Sequence, residues 1–327
     1  MRRREFIFLF GSTALVWQPG ASAQQPGVRR IGVLTPIPET DPEAQLRVAA
    51  LRQELQRLGW TDGRNLSITA RWADEPGRIR TYARELVDLA PDVILVNSNP
   101  ALSALRQETR TIPIVFLTVA DPVGSGFIEH LARPGANITG FTNFEPSIAG
   151  KWLELIKQIA PTLTRVAVVL HPETPAHLAM LRAIQAVASP VGVTLTIAGV
   201  HNAAEIELAL TAFAAEPNGG LIILPHPVTS NHHELLIRLA VDHRLPSIAA
   251  WKYIALDGTL MAYGFDLTNE YRRAASYIDR ILKGEKPGNL PVQGPNKFEL
   301  VINMKTAKKL GLDVPLHLQE LADEVIE

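Results

Sequence analysis

Asp92-Val93-Ile94-Leu95-Val96-Asn97-Ser98-Asn99-Pro100 is the stretch that decides the fold. Its run of Val, Ile and Leu does not alternate with polar residues. Such a strand is buried on both faces, as in a parallel sheet covered by helices. Three short polar residues and a proline then turn the chain sharply. Asn99 suits a helix N-cap and Pro100 the first helical position, where the missing N–H costs nothing. Ala101 to Glu108 is accordingly read as a helix. A helix N-terminus at the mouth of a strand offers backbone N–H groups and a positive dipole end to a carboxylate or phosphate. Asn97 and Ser98 add neutral donors. Helix capping alone accounts for the same residues equally well.

The same alternation runs outward in both directions. Towards the N-terminus, Ile31-Gly32-Val33-Leu34 and Leu66 to Trp72 read as strands, with helices at Glu43 to Leu58 and Arg78 to Leu89. Ile112 to Leu117 is a further strand. After about residue 145 the pattern resumes. Strands at Arg165 to Leu170, Thr194 to Ala198, Gly220 to Leu224 and Pro246 to Ala250 alternate with helices at Ile148 to Ile159, Ala176 to Ala188, Ala204 to Ala214 and His232 to Asp242. Strand–helix alternation with short loops builds right-handed βαβ units. Two successive sets predict two similar α/β lobes, each a parallel sheet flanked by helices. Expected boundaries are 28–141 plus about 262–290 for the first lobe, and 142–261 plus about 291–327 for the second. The last strand, Phe298 to Asn303, is compatible with either.

Ligands of open α/β sheets bind beyond the carboxyl ends of the strands. Four such ends share one pattern of polar residues, proline and an expected helix. Besides Asn97 to Pro100 they are Asp121-Pro122, His171-Pro172-Glu173-Thr174-Pro175 and His226-Pro227-Val228-Thr229-Ser230. Asp121 is a candidate partner for a ligand ammonium, or a cap for its own helix. His171 and His226 are candidate donors to a ligand oxygen, or loop caps. As metal ligands they lack a third residue at useful spacing, so no metal site is expected. Aromatic side chains are few. Phe141, Phe144, Trp251 and Tyr263 follow or end strands, where they would give flat faces to a ring-bearing ligand or pack in the core.

The first 23 residues read as an export signal. Arg2-Arg3-Arg4 precedes an apolar run from Phe8 to Trp17, and Ala21-Ser22-Ala23 supplies a cleavage site. The run is short of the ~20 apolar residues that span a bilayer. Arg3-Arg4-x-Phe6-Ile7 also fits a twin-arginine motif, so both export routes stay open. Net charge is −1 over the chain. Once the leader's three arginines and one glutamate are removed, 29 basic and 32 acidic side chains remain. No basic run suits a nucleic acid. Cysteine is absent, which excludes disulfides, thiolate sites, a cysteine nucleophile and a lipoprotein anchor. G-x-S-x-G, P-loop and H-E-x-x-H motifs are missing. Gly124-Ser125-Gly126 lacks the third glycine of a dinucleotide fingerprint. No cofactor is expected.

The chain resembles the ABC-transporter substrate-binding proteins of the tryptophan/tyrosine type. The resemblance is carried by Leu58-Gly59-Trp60, Tyr82 to Val87, Ile112 to Phe116, Asp121 to Gly124, Leu131 to Gly140, Gly150 to Leu155, Tyr263-Gly264, Tyr271 to Ala275, Ile281 to Gly284 and Lys297 to Asn303. It implies a type I periplasmic-binding-protein fold with a multi-crossing hinge, a small ligand closed between the lobes, and delivery to ABC permease subunits. The polar Asn97-Ser98-Asn99 stands where a small Gly/Thr-rich loop is usual. The resulting expectation is a free periplasmic receptor, monomeric and not an enzyme, for an amino-acid or aromatic carboxylate ligand. Asn97, Ser98, Asn99 and Ala101 would hold the acidic group and Asp121 an ammonium. Phe144, His171, His226, Trp251 and Tyr263 would close from the other side. The alternatives are an exported hydrolase acting in the cleft and a ligand receptor for a membrane sensor.

Overall fold

The computed structural model describes residues 27–75, 77–142, 147–295 and 298–327. The export signal and Phe144 lie outside them. The first sheet is built from β1 (Arg29–Thr35), β2 (Leu66–Trp72), β3 (Val93–Asn97), β4 (Ile114–Val119) and β5 (Ile138–Thr142). Its strand order is β2-β1-β3-β4-β5, parallel throughout. Helices α1 (Pro42–Arg57), α2 (Arg78–Asp88) and α3 (Asn99–Glu108) connect these strands. The second lobe begins with α4 (Ile148–Ile159), β6 (Arg165–Leu170), α5 (Pro175–Ala188), β7 (Thr194–Gly199), α6 (Ala203–Phe213) and β8 (Gly219–Ile223). It continues with α7 (Pro227–Asn231), α8 (His233–Asp242), β9 (Ser247–Ala249), α9 (Lys252–Asp257) and β10 (Met261–Gly264). After α10 (Leu267–Leu282) come β11 (Glu299–Asn303), α11 (Met304–Leu310), α12 (Leu316–Leu321) and β12 (Glu324–Ile326). The second sheet runs β12-β11-β10-β9-β8-β6-β7.

The fold is two α/β lobes, and the expected strands fall within a residue or two of the observed ones. Three local expectations are corrected. The edge strands are not buried on both faces: β2 is mostly half-buried and β7 mostly exposed, since the helical cover thins out at the sheet margins. The second sheet is not wholly parallel: β11 runs antiparallel to β10. β10 belongs to the second sheet, beside β9 and β11, so the first lobe takes up the chain again only near Leu267. The last strand joins the second lobe. Gly264 allows this: a Cβ there would meet the Ala250 carbonyl oxygen at 1.9 Å.

α10 returns to the first lobe and packs along α1, burying Tyr271, Ala274, Ala275 and Ile278 on that core. Trp60 Nε1 donates to Asp279 Oδ1 at 2.8 Å and locks the returning helix in place. The second lobe is centred on Trp152, fully buried on α4, whose indole N–H donates to the Tyr263 carbonyl at 2.8 Å. Among the described residues, lobe one is left after Thr142 and lobe two is entered by Ser147; the chain returns at 265–266 and crosses again between Pro295 and Phe298. No helix among the described residues is long and apolar enough to cross a membrane.

Two strand ends differ from expectation. The N-cap of α3 is Ser98 rather than Asn99: its hydroxyl accepts from Ala101 N at 3.4 Å, with φ at +95°. Asn99 is instead the first helical residue. Its side chain accepts from Ala120 N (3.0 Å) and donates to Ala120 O (2.9 Å), pinning the exit of β4. No helix follows Asp121-Pro122. The chain makes successive turns there, with Asp121 Oδ1 accepting from Gly124 N at 2.9 Å.

Candidate functional site

The carboxyl ends of both sheets face each other across a cleft. Its inner chamber encloses about 50 Å³. Lobe one contributes Pro36 and Ile37 after β1, Arg47 on α1, Asn97 to Pro100 at the start of α3, and Thr118 on β4. Lobe two contributes Thr174, the Pro225-His226-Pro227 turn, Ser230, Trp251 and Tyr253. Pro100, His226 and Pro227 also line an outer cavity of about 630 Å³, in the size range of small-molecule sites.

Arg47 is the most informative residue of the chamber. It is 2% exposed on the core face of α1, between Ala44 and Val48. Among the described residues its one ion pair is a long contact to Glu43, 3.5 Å from Nη2. Nε has no hydrogen-bond partner among the described residues. The guanidinium lies 5.1 Å from the centroid of the Tyr253 ring, a cation–π contact that spans the two lobes. A buried charge with so little compensation is costly unless another group completes it. A carboxylate does so with paired, charge-assisted hydrogen bonds. The N-terminal end of α3 opens on the same chamber and favours the same charge.

The backbone at the β3 and β4 ends carries strain, with Ser98 and Thr118 at the chamber itself. Ser98 (φ +95°), Thr118 (φ +49°) and Asp121 (φ +43°) occupy left-handed space within two strand ends of lobe one. For a β-branched residue such as Thr118 this is uncommon and costs of order 1–3 kcal/mol. The Thr118 hydroxyl is buried and has no partner among the described residues.

On the opposite wall, His226 caps α7 and is 8% exposed. Its Nδ1 accepts from Val228 N at 3.2 Å, so the neutral ring carries its proton on Nε2. That Nε2 has no partner among the described residues. Burial, aided by the nearby imidazoles of His171, His177 and His201, pulls the His226 pKa down to about 2. His226 therefore stays a neutral donor at any physiological pH. Behind it, His177 on α5 is 2% exposed and joins two strand-end loops. It accepts from His171 N (3.1 Å) and contacts the Pro225 carbonyl through Nε2 (3.3 Å). Desolvation lowers its pKa to about 4.

The candidate residues separate into groups. Asn97, Ser98, Asn99, His226 and Trp251 meet at the inner chamber. Asn97 Nδ2 donates to the Tyr271 hydroxyl at 3.2 Å. Ala101 is buried beneath, with its N–H engaged by Ser98. His171 lines the outer cavity, its ring stacked on His226 at 4.2 Å. Asp121 and Tyr263 line a separate cavity of about 560 Å³ beside the interlobe crossings, with Thr142 and Phe298. Phe141 is core, 4.7 Å from the Tyr277 ring. Arg47, Thr118, His177 and Tyr253 escaped the sequence reading. The available signal was a charged or imidazole side chain on the apolar face of α1 or α5. Spacing along the chain also hid partners of His171: folding brings Glu173 and His201 to it, with all three ligand atoms within 4.8 Å of one another.

Two α/β lobes with a polar, strained cleft between their strand ends define a ligand-binding protein. Residues 30–326 match the model of the ABC transporter substrate binding protein family, and the chain belongs to that family. A tyrosine-binding protein of Clostridioides difficile (strain R20291) is 24% identical over 265 residues, 79% of this chain and 74% of that protein. A conserved domain protein of Vibrio cholerae shares 28% identity at a TM-score of 0.85, covering 91% of this chain and 99% of that one. A Streptococcus pneumonia ABC domain in complex with L-Trp shares 22% identity at a TM-score of 0.84, with the same coverage.

Proposed function

We propose that this protein is the exported solute-binding component of an ABC importer and captures an aromatic amino acid between its lobes. The observation that carries the reading is the buried, under-partnered Arg47 guanidinium beside the α3 N-terminus. Arg47 and the helix end receive the ligand carboxylate. The His226 Nε2–H donates from the other lobe. Trp251 and Tyr253 supply apolar faces. The tyrosine- and tryptophan-binding relatives support this ligand class. The N-terminal signal addresses the mature chain, starting near Gln24, to the periplasm, where it hands ligand to the permease as a monomer.

Isothermal titration of the mature chain tests the reading. L-Trp and L-Tyr are expected to bind saturably at one per chain, while tryptamine and tyramine, which lack the carboxylate, do not. Equal binding of the decarboxylated amines, or no heat with any amino acid, would reject it.

Binding then selects the closed arrangement through contacts to both lobes. Asn231 is a latch for that arrangement: from α7 its Nδ2 reaches Pro36 O and Asp74 O, both at 3.3 Å in lobe one. Removing about 1 kcal/mol of hydrogen bonding shifts the closed-to-open ratio roughly fivefold. The Asn231→Ala variant is expected to show a larger radius of gyration by small-angle scattering and up to about fivefold weaker amino-acid binding. An unchanged scattering profile and affinity would deny Asn231 this role.

A further inference from the structure

We propose that His171, Glu173 and His201 form a site for one first-row divalent transition ion, Zn2+ being the reference case, on the lobe-two wall of the outer cavity. His171 stands at the end of β6, Glu173 two residues on, and His201 just after β7. Two strand-end loops of one sheet thus converge. The Glu173 carboxylate lies between the imidazoles, with one oxygen 3.2 Å from His171 Nδ1 and the other 2.9 Å from His201 Nε2. Donor atoms about 2 Å from a common tetrahedral ion lie roughly 3.3 Å apart; the three ligand atoms lie within 4.8 Å of one another, so side-chain adjustment is needed to close them on an ion.

Two further observations separate this group from an ordinary surface cluster. His171 Nδ1 is shielded from solvent and close to the carboxylate, yet not aligned for a hydrogen bond with it. And His201 is oriented from its far side: its Nδ1 lies 2.8 Å from Glu205 Oε2, so Nε2, which contacts Glu173 Oε1 at 2.9 Å, is the nitrogen that would give up a proton to take the metal. Glu205 is held in turn by His201 N (3.0 Å) and Asn202 Nδ2 (2.9 Å). Such a carboxylate–histidine–metal arrangement is the usual outer shell of a protein metal site. Two imidazoles and one carboxylate suit zinc, copper or nickel and not the oxygen-seeking Ca2+ or Mg2+. His171 and His201 both line the outer cavity, whose lobe-one wall carries Asp74 and Glu75. The site is independent of the amino-acid reading, since none of its ligands belongs to the Arg47 chamber.

The test is titration of tag-free, chelator-treated mature protein with ZnCl2, read by calorimetry and by metal content after gel filtration. One Zn2+ per chain is expected, with no binding of Ca2+. Glu173→Gln and His201→Gln each weaken Zn2+ binding at least tenfold, and Glu205→Gln weakens it about 10–100-fold through loss of ligand orientation. Arg47→Met binds Zn2+ as the parent does, so failure of the amino-acid reading leaves this result standing. Far-UV circular dichroism without metal checks the fold of each variant. Absence of saturable Zn2+ binding, or binding undiminished in both Glu173→Gln and His201→Gln, would overturn the site.

Discussion

The Arg47→Met variant is expected to bind L-Trp and L-Tyr about 10–100-fold more weakly while melting at the same or a higher temperature than the parent. The two effects have separate causes. Hydrogen bonds to a charged group contribute about 1.5–3 kcal/mol, and a factor of ten in affinity is about 1.4 kcal/mol. Before ligand binds, however, Arg47 is 2% exposed, and among the described residues its one ion pair is a 3.5 Å contact and its Nε is unpartnered. Replacing a poorly compensated buried charge by an apolar side chain of similar length is commonly neutral or stabilising. A residue that served only packing would lose stability and leave affinity unchanged. Calorimetric affinities and melting curves on the same preparations distinguish the cases, and a destabilised variant with intact binding would remove Arg47 from the site.

Acid should destabilise the protein well before its carboxylates titrate. Folded His177 titrates near pH 4 and folded His226 near pH 2, against about 6.5 when unfolded. Above pH 6.5 both rings are neutral in either state and contribute no pH dependence. As pH falls below 6.5 the unfolded chain takes up two protons that the folded chain refuses. Stability therefore falls, with a slope approaching about 2.7 kcal/mol per pH unit. By pH 4.5 the loss is on the order of 5 kcal/mol, a large share of the usual 5–15 kcal/mol. His201, raised chiefly by its hydrogen bonds to Glu173 and Glu205, acts in the opposite sense but above pH 6.5, outside this window. Glu54, Glu108, Glu173 and Glu205, all lowered by partners, begin to cost stability only as pH drops below about 4.5. Melting temperatures from pH 7.5 to 4.5 measure the effect. His226→Asn keeps a capping side chain while removing one titration, and is expected to halve the slope between pH 6 and 4.5. A flat profile for the parent, or an unaltered slope in the variant, would contradict the account.

Much of this molecule was written in local chain chemistry. Runs such as Val93 to Val96 and Val166 to Leu170 bury both faces wherever they sit, so strand type and lobe architecture follow from hydrophobic periodicity alone. The strand-end turns announced the cleft for the same reason: polar residue and proline punctuation is local. The Asn97 to Pro100 loop was legible down to its place in the chamber. The identity of its cap was not, because Ser98 caps only at a strained φ, while Asn99 is claimed by Ala120, a neighbour across the sheet.

What only the tertiary structure decided depends on which strand ends come together and which charges are left without water. Asp121 and His226 obey one sequence pattern, yet one lies by the interlobe crossings and the other in the chamber. Arg47 looks like any helix arginine until α9 and α10 close over it. His171 and His201 stand 30 residues apart, and parallel pairing of β6 with β7 sets them against Glu173. Periodicity reports a residue's own face of its own element. Burial of charge and convergence of loops are properties of several elements at once, and they arise only when the sheets are assembled.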